Sequence, residues 1–133
     1  MPLINQLSAA RPARILIVED EYFVALNAQQ ILEEAGFIVT GIATSAIESL
    51  EKAATDTPEI ILMDIRIQGP RDGIDAAIEL HSKLNLRCIF VTAHAEAATK
   101  QRAEPARPIG WLQKPYSEVV LIQMINNALE SSS

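Results

Sequence analysis

The sequence predicts an α/β domain: a doubly wound sheet of five parallel strands, in the order 2-1-3-4-5, with five helices around it. Three observations predict this. Short apolar runs of strand length alternate with amphipathic segments of helix length along the chain, as βαβ units require. The first of those runs is continuously apolar, as a strand covered on both faces should be. The length of 133 residues fits one domain and leaves no room for two. Right-handed crossovers on five parallel strands then lead to the doubly wound arrangement, whose common form at this size has that order.

The elements follow in turn. The first strand is Ile15-Leu16-Ile17-Val18, ending abruptly in Glu19-Asp20-Glu21. A helix pattern runs from about Phe23 to Ala35, with Val24, Ala28, Ile31, Leu32 and Ala35 on one face, and Gly36 stops it as a left-handed C-cap. The second strand spans about Phe37 to Ile42. Ser45 and Glu48 form an S-x-x-E capping box for a helix whose inner face is expected at Ile47, Leu50 and Ala54. Pro58 separates it from the third strand, Ile60 to Met63, which ends at Asp64. A polar loop with Gly69, Pro70 and Gly73 opens a helix from Ile74 to Leu84, its inward positions being Ile74, Ala77, Ile78 and His81. The fourth strand, Cys88 to Val91, ends at Thr92. A short helix covers Glu96 to Ala103 before Pro105 and Pro108 forbid regular helix. The fifth strand runs from Ile109 to Leu112 and leads into Gln113-Lys114-Pro115. Ser117 caps a last helix to about Glu130, with Val120, Leu121, Met124, Ile125 and Ala128 facing in. Residues 1–13 read as a flexible leader, 14–130 as the domain, and 131–133 as a tail.

Composition narrows the function classes. Hydrophobic residues make up 49% and charged residues 21%, enough to build a core. The net charge of -6 argues against direct nucleic-acid binding and against an anionic membrane surface. No apolar run is long enough to span a bilayer. A lone cysteine, Cys88, excludes an internal disulfide and makes a reducing, cytoplasmic setting the expectation.

In doubly wound folds the working site lies outside the carboxyl ends of the strands. The residues delivered there are Glu19 and Asp20, Asp64, Thr92 and Lys114. Carboxylates crowded on one edge repel, and a hard divalent cation is the natural compensation. Magnesium takes oxygen ligands, keeps several waters, and leaves positions for phosphate oxygens. Lys114 adds a compact positive charge and Thr92 a hydroxyl donor. These are the parts that stabilise a phosphoryl group in transfer, and Asp is an established covalent acceptor of phosphate.

The segments Ile15-Leu16-Ile17-Val18-Glu19-Asp20-Glu21, Leu62-Met63-Asp64-Ile65-Arg66, Val91-Thr92-Ala93 and Lys114-Pro115 resemble the signatures of response-regulator receiver domains, over about residues 14 to 130. Asp72-Gly73, opening the third helix, fits the same pattern. The resemblance implies a flavodoxin-like, CheY-like fold and a signalling switch rather than an enzyme. It implies Asp64 as phospho-acceptor, with a sensor histidine kinase or phosphotransfer protein as donor. Asp20, Glu19, Asp64 and the backbone carbonyl of Arg66 would hold Mg²⁺, while Lys114 and the Thr92 hydroxyl would meet the phosphoryl oxygens. Trp111 stands where the family's switch aromatic lies, although Tyr or Phe is more usual there. Arg66 and His94 flank the phosphoryl position and would modulate hydrolysis. A downstream protein would read the face made by helix four, strand five and helix five. Pro115 would follow a cis peptide, the Asp64–Asp72 loop is one residue longer than the common form, and the fourth helix is expected to be short or irregular.

Taken singly, each of these residues has a plainer role: Asp64 as a loop cap, Glu19-Asp20-Glu21 as favourable charge for a helix start, Lys114 as a solvated cation. Convergence on one edge outweighs that reading. For Cys88, Met63, Met124 and His81 the plainer reading as core or core-margin residues prevails. The receiver is either free-standing or a module of a longer hybrid kinase or regulator. An aspartyl-nucleophile phosphatase would need a second Asp where Arg66 stands. A flavin carrier would need a Ser/Thr/Gly-rich phosphate loop where the chain has three acids.

Overall fold

The apolar runs over residues 15–18, 60–63 and 88–91 become the centre of the molecule. In the computed structural model, which describes residues 12–131, the strands are β1 (Arg14–Val18), β2 (Ile38–Ala43), β3 (Ile60–Asp64), β4 (Cys88–Thr92) and β5 (Gly110–Gln113). They form one sheet in the order β2-β1-β3-β4-β5 with every neighbouring pair parallel, as expected. The helices are α1 (Tyr22–Glu34), α2 (Ala46–Asp56), α3 (Gly73–Leu84), α4 (Ala97–Ala103) and α5 (Glu118–Ser131). All but the last two residues of the leader expected over 1–13, and the last two of the tail, lie outside the described residues. Pairing begins at Ala13, which is buried and whose carbonyl accepts from Ile38 N–H at 2.9 Å.

Strand geometry sends alternate side chains to opposite faces, so the sheet supports two cores. Leu16, Ile61, Met63 and Phe90 face Ala46, Ala76, Ala77 and Leu80 of α2 and α3. Ile15, Ile17, Leu62 and Ile89 face Ala25, Leu32, Leu121 and Ile125 of α1 and α5. Full burial of each large side chain is worth about 1.5–3 kcal/mol. Cys88 lies within the first core, where burial pushes its thiol up to about 12, so it packs as a small apolar residue.

The inner face of α2 departs from the expectation. Ile47 is 63% exposed and Ala54 is exposed, while Ala46, Ser49 and Ala53 are buried. α2 packs against α3, whose facing residues include Ala76 and Ala77, and small residues on both helices let the two approach. Ser49 tolerates burial because its hydroxyl donates to Ala46 O at 2.7 Å. Val120 of α5 is likewise 45% exposed rather than inward, and Ala35, just past the end of α1, is exposed.

Helix ends obey local chemistry. Ser45 Oγ accepts from Glu48 N–H at 3.1 Å, but the Glu48 carboxylate reaches back to Thr44 N–H at 2.7 Å rather than to Ser45 itself. α3 has the complete box: Asp72 accepts from Asp75 N–H at 3.0 Å and Asp75 from Asp72 N–H at 3.2 Å. Gly36 takes φ +95° after α1, the left-handed value that glycine reaches without strain. α4 is seven residues long and passes into a 3-10 turn over Glu104–Ala106 that contains Pro105, the shortened fourth helix that the prolines predict.

Candidate phosphoryl-acceptor site

The carboxyl edge of the sheet collects one residue from each of several strands. Asp64 closes β3 and is 6% exposed. Its Oδ1 accepts from Arg66 N–H at 3.0 Å, and its Oδ2 accepts from the Lys114 ammonium at 2.6 Å. Lys114 follows β5, its own N–H donating to Thr92 O at 2.8 Å, and the Lys114–Pro115 peptide is cis. Glu19 follows β1, where its N–H donates to Ala43 O at 2.8 Å. Its carboxylate is buried, with Oε2 accepting from Glu21 N–H at 3.0 Å and Oε1 lying 3.5 Å from Lys114 Nζ.

Two buried acids thus share one ammonium. Burial, followed by a hydrogen bond with Asp64, pushes Glu19 from the usual 4.5 up to about 7, against the opposing pull of Glu21 N–H and Lys114. Burial alone would lower Lys114; the hydrogen bond and charge of Asp64, with Glu19 behind them, leave it raised. The ammonium is therefore a fixed charge at neutral pH, while the raised Glu19 changes charge near neutrality.

Asp20, half-buried, stands on the wall of an open cleft that also takes in Glu21, Arg66, Thr92 and His94. The structure brings together Glu19, Asp20, Asp64, Thr92 and Lys114, all of which the sequence singled out. The Thr92 hydroxyl is engaged locally, donating to His94 O at 2.9 Å and accepting from His94 N–H at 3.3 Å. Arg66 and His94 are exposed on the cleft rim. Trp111 is half-buried away from the carboxylates, its ring 4.8 Å from Phe90 and under the Lys100 ammonium at 5.7 Å.

The side-chain donors of Glu19, Asp20 and Asp64 are all oxygens, which suits a hard divalent ion that keeps part of its water shell. Among the described residues no three His, Cys, Asp or Glu side chains already converge as a metal cage. Magnesium asks for less than such a cage, and the burial that raises Glu19 is the kind of penalty a cation relieves.

Tyr116, Glu96 and Thr99 escaped the sequence reading as site residues, as did the close packing at Gly73, which was noted only as part of the motif opening α3. Tyr116 lines a small pocket with Glu19, Asp64 and Lys114, and burial raises its phenol. Glu96 and Thr99 face the cleft. Gly73 lies under the acceptor: its N–H donates to Ile65 O at 2.7 Å, and a Cβ there would stand 2.1 Å from Asp64 O. The Asp72…Asp75 spacing was the one signal that could have located the start of α3 more closely.

The fold is that of receiver domains, the signalling switches of two-component systems. The chain belongs to the response-regulator receiver domain family, whose model matches residues 15–126. It is 36% identical over 121 residues to the transcriptional regulatory protein PdtaR of Mycobacterium tuberculosis, covering 91% of this chain and 58% of that protein. It is 31% identical over 114 residues to the chemotaxis protein CheY of Thermotoga maritima, covering 85% of this chain and 94% of that one. The crystal structure of the signal receiver domain of a modulated diguanylate cyclase from Desulfovibrio desulfuricans superposes with a TM-score of 0.84 at 33% identity, covering 90% of this chain and 95% of that one. The chain thus spans little more than half of PdtaR and nearly all of CheY. No helix among the described residues is long and apolar enough to cross a membrane.

Proposed function

We propose that the chain is a cytoplasmic phospho-receiver whose Asp64 accepts a phosphoryl group from a histidine kinase or phosphotransfer protein, with Mg²⁺ as cofactor. The observation that carries the reading is the Asp64 carboxylate, buried at the end of β3 and held between Arg66 N–H at 3.0 Å and the Lys114 ammonium at 2.6 Å. An Asp64 oxygen attacks phosphorus and forms the acyl phosphate, while the P–N bond to the donor imidazole breaks and its electron pair returns to the ring. Lys114 moves with the phosphoryl oxygens and offsets their charge. The Thr92 hydroxyl exchanges its bond to His94 O for a phosphoryl oxygen, and Trp111 responds from β5. Glu19, Asp20, Asp64 and the Arg66 carbonyl hold the magnesium, which when bound neutralises charge on the transferring group. Arg66 and His94, on the rim, set the access of water and so the lifetime of the acyl phosphate.

The output is a two-state equilibrium read by a partner protein at the face of α4, β5 and α5, with no direct part for nucleic acid or membrane. An aspartyl phosphatase is disfavoured because the acid/base position is taken by Arg66. Intact mass after incubation with acetyl phosphate, with and without Mg²⁺, tests the assignment on wild type and Asp64→Asn. One phosphoryl adduct that needs both magnesium and Asp64 is expected. Full labelling of Asp64→Asn, or no adduct on the wild type under any condition, would overturn it. Lys114→Ala should still bind metal but give a weak conformational response.

A further inference from the structure

The acceptor loop and α4 are joined by a contact in which Thr92 takes no part. Gly73 presses against the main chain of Asp64, so closely that a Cβ would lie 2.1 Å from Asp64 O and 2.9 Å from Ile65 Cα. Any movement of the acceptor backbone is therefore felt by Asp72 and Gly73, where α3 begins. Asp72 carries more than its cap: both carboxylate oxygens accept from Arg102 Nη2, each at 2.7 Å, and the same nitrogen lies 3.4 Å from Asp75 Oδ1. One α4 guanidinium thus bridges both carboxylates of the α3 capping box, pairing closely with Asp72 and more distantly with Asp75. Burial would raise Asp72, but Arg102 and the backbone N–H groups hold it below the usual carboxylate value, so the pair stays charged at neutral pH.

α4 itself is weakly anchored. It has seven residues, its N-cap Glu96 makes no side-chain capping bond, and of its side chains only Ala103 is buried. Its second basic tether, Lys100, stands 5.7 Å over the Trp111 ring. A short helix held at one side to the α3 cap and at the other to the β5 aromatic is suited to having two positions.

We propose that Arg102 is a positioning residue, a latch that ties α4 to the Asp72–Asp75 cap and so couples the acceptor loop to the α4 surface independently of Thr92. That this coupling serves phosphoryl signalling rests on the reading of Asp64 given above; the latch itself does not. Arg102 and Asp72 are partly exposed, at 48% and 34% for their side chains, and such pairs shift equilibria by only about two- to fivefold. That is too little to hold the fold and enough to bias a two-state helix.

Hydrogen exchange on the unphosphorylated protein tests the latch. Arg102→Gln removes the guanidinium, and Asp72→Asn removes the charge while keeping a good N-cap oxygen. Each single variant should speed exchange about two- to fivefold both in α4 with its 3-10 turn and in the 65–72 loop. The double variant should be no faster than either single, and Arg102→Lys should restore part of the protection. Wild-type exchange in Arg102→Gln, or additive effects in the double variant, would overturn the latch. After acetyl phosphate and Mg²⁺, α4 exchange should change in wild type and barely change in Arg102→Gln carrying a full Asp64 adduct by mass. An undiminished response in that variant would overturn the coupling. A wild type that takes no adduct would count against Asp64 as acceptor, while the resting-state measurements still decide the latch.

Discussion

Glu19 makes the stability of the metal-free protein depend on pH in an unusual direction. Its pKa rises from 4.5 to about 7 because burial and the hydrogen bond with Asp64 favour the protonated acid. A group with a raised native pKa supports the fold fully below its unfolded value and loses that support as pH climbs through the native value. Stability should therefore fall from about pH 4.5 to about pH 7 and level off above it. At about 1.4 kcal/mol for each tenfold change in proton affinity, the ceiling is about 3 kcal/mol. The pull of Lys114 already enters that value, and relaxation of a site open to water brings the expected loss to about 1–2 kcal/mol. Urea unfolding in EDTA between pH 5 and 8 reads this when wild type is compared with Glu19→Gln, which cannot ionise and removes the contribution of titrating groups remote from the site. The difference between the two proteins should grow across that window and shrink when Mg²⁺ is added, since a cation favours ionised Glu19. Identical pH slopes for the two proteins in EDTA would refute the reasoning.

Two glycine substitutions separate backbone from side-chain crowding. A Cβ at Gly73 meets the Asp64 carbonyl oxygen at 2.1 Å, so Gly73→Ala must displace acceptor backbone and should cost about 3 kcal/mol, with loss of labelling. At Gly110 the clash is with Met124 Sδ at 2.6 Å, a flexible thioether that can swing aside, and Gly110→Ala should cost less than about 1 kcal/mol. Equal losses in urea unfolding would defeat the distinction. Ser45→Ala removes the acceptor for Glu48 N–H and should cost about 1 kcal/mol by thermal unfolding; an unchanged melting temperature would deny that bond any net worth.

Strand positions and the residues at their carboxyl ends were legible because both are written locally. Ile15 to Val18 can only be a buried strand, and the acids that follow must then emerge at the sheet edge. What was not legible depends on the partner surface. In α2 the hydrophobic ranking of Ile47 over Ala46 pointed the helix about one residue wrong, because close packing on α3 selects small residues over apolar bulk. Val120 failed similarly: α5 turns Leu121 and Ile125 inward with Ile122, Met124, Ala128 and Leu129 packed beside them, and Val120 falls outside that face. The Arg102–Asp72 pair spans 30 residues of sequence and follows from no local rule. Thr92 was placed correctly, yet its present bond to His94 belongs to the loop conformation and not to the motif.

The site's two closest charge partners for Lys114 are separated from it by 95 and 50 residues of chain. During synthesis, Glu19 and Asp64 leave the ribosome well before β5, and until Lys114 arrives they face each other with no cation from the protein between them. The acidic edge of a nascent chain is thus incomplete at the moment its sheet begins to pair. The last strand both finishes the sheet and delivers the counter-charge, so the balance of charge at this edge arrives together with structural completion, and a chain cut short of β5 keeps both acids without their ammonium.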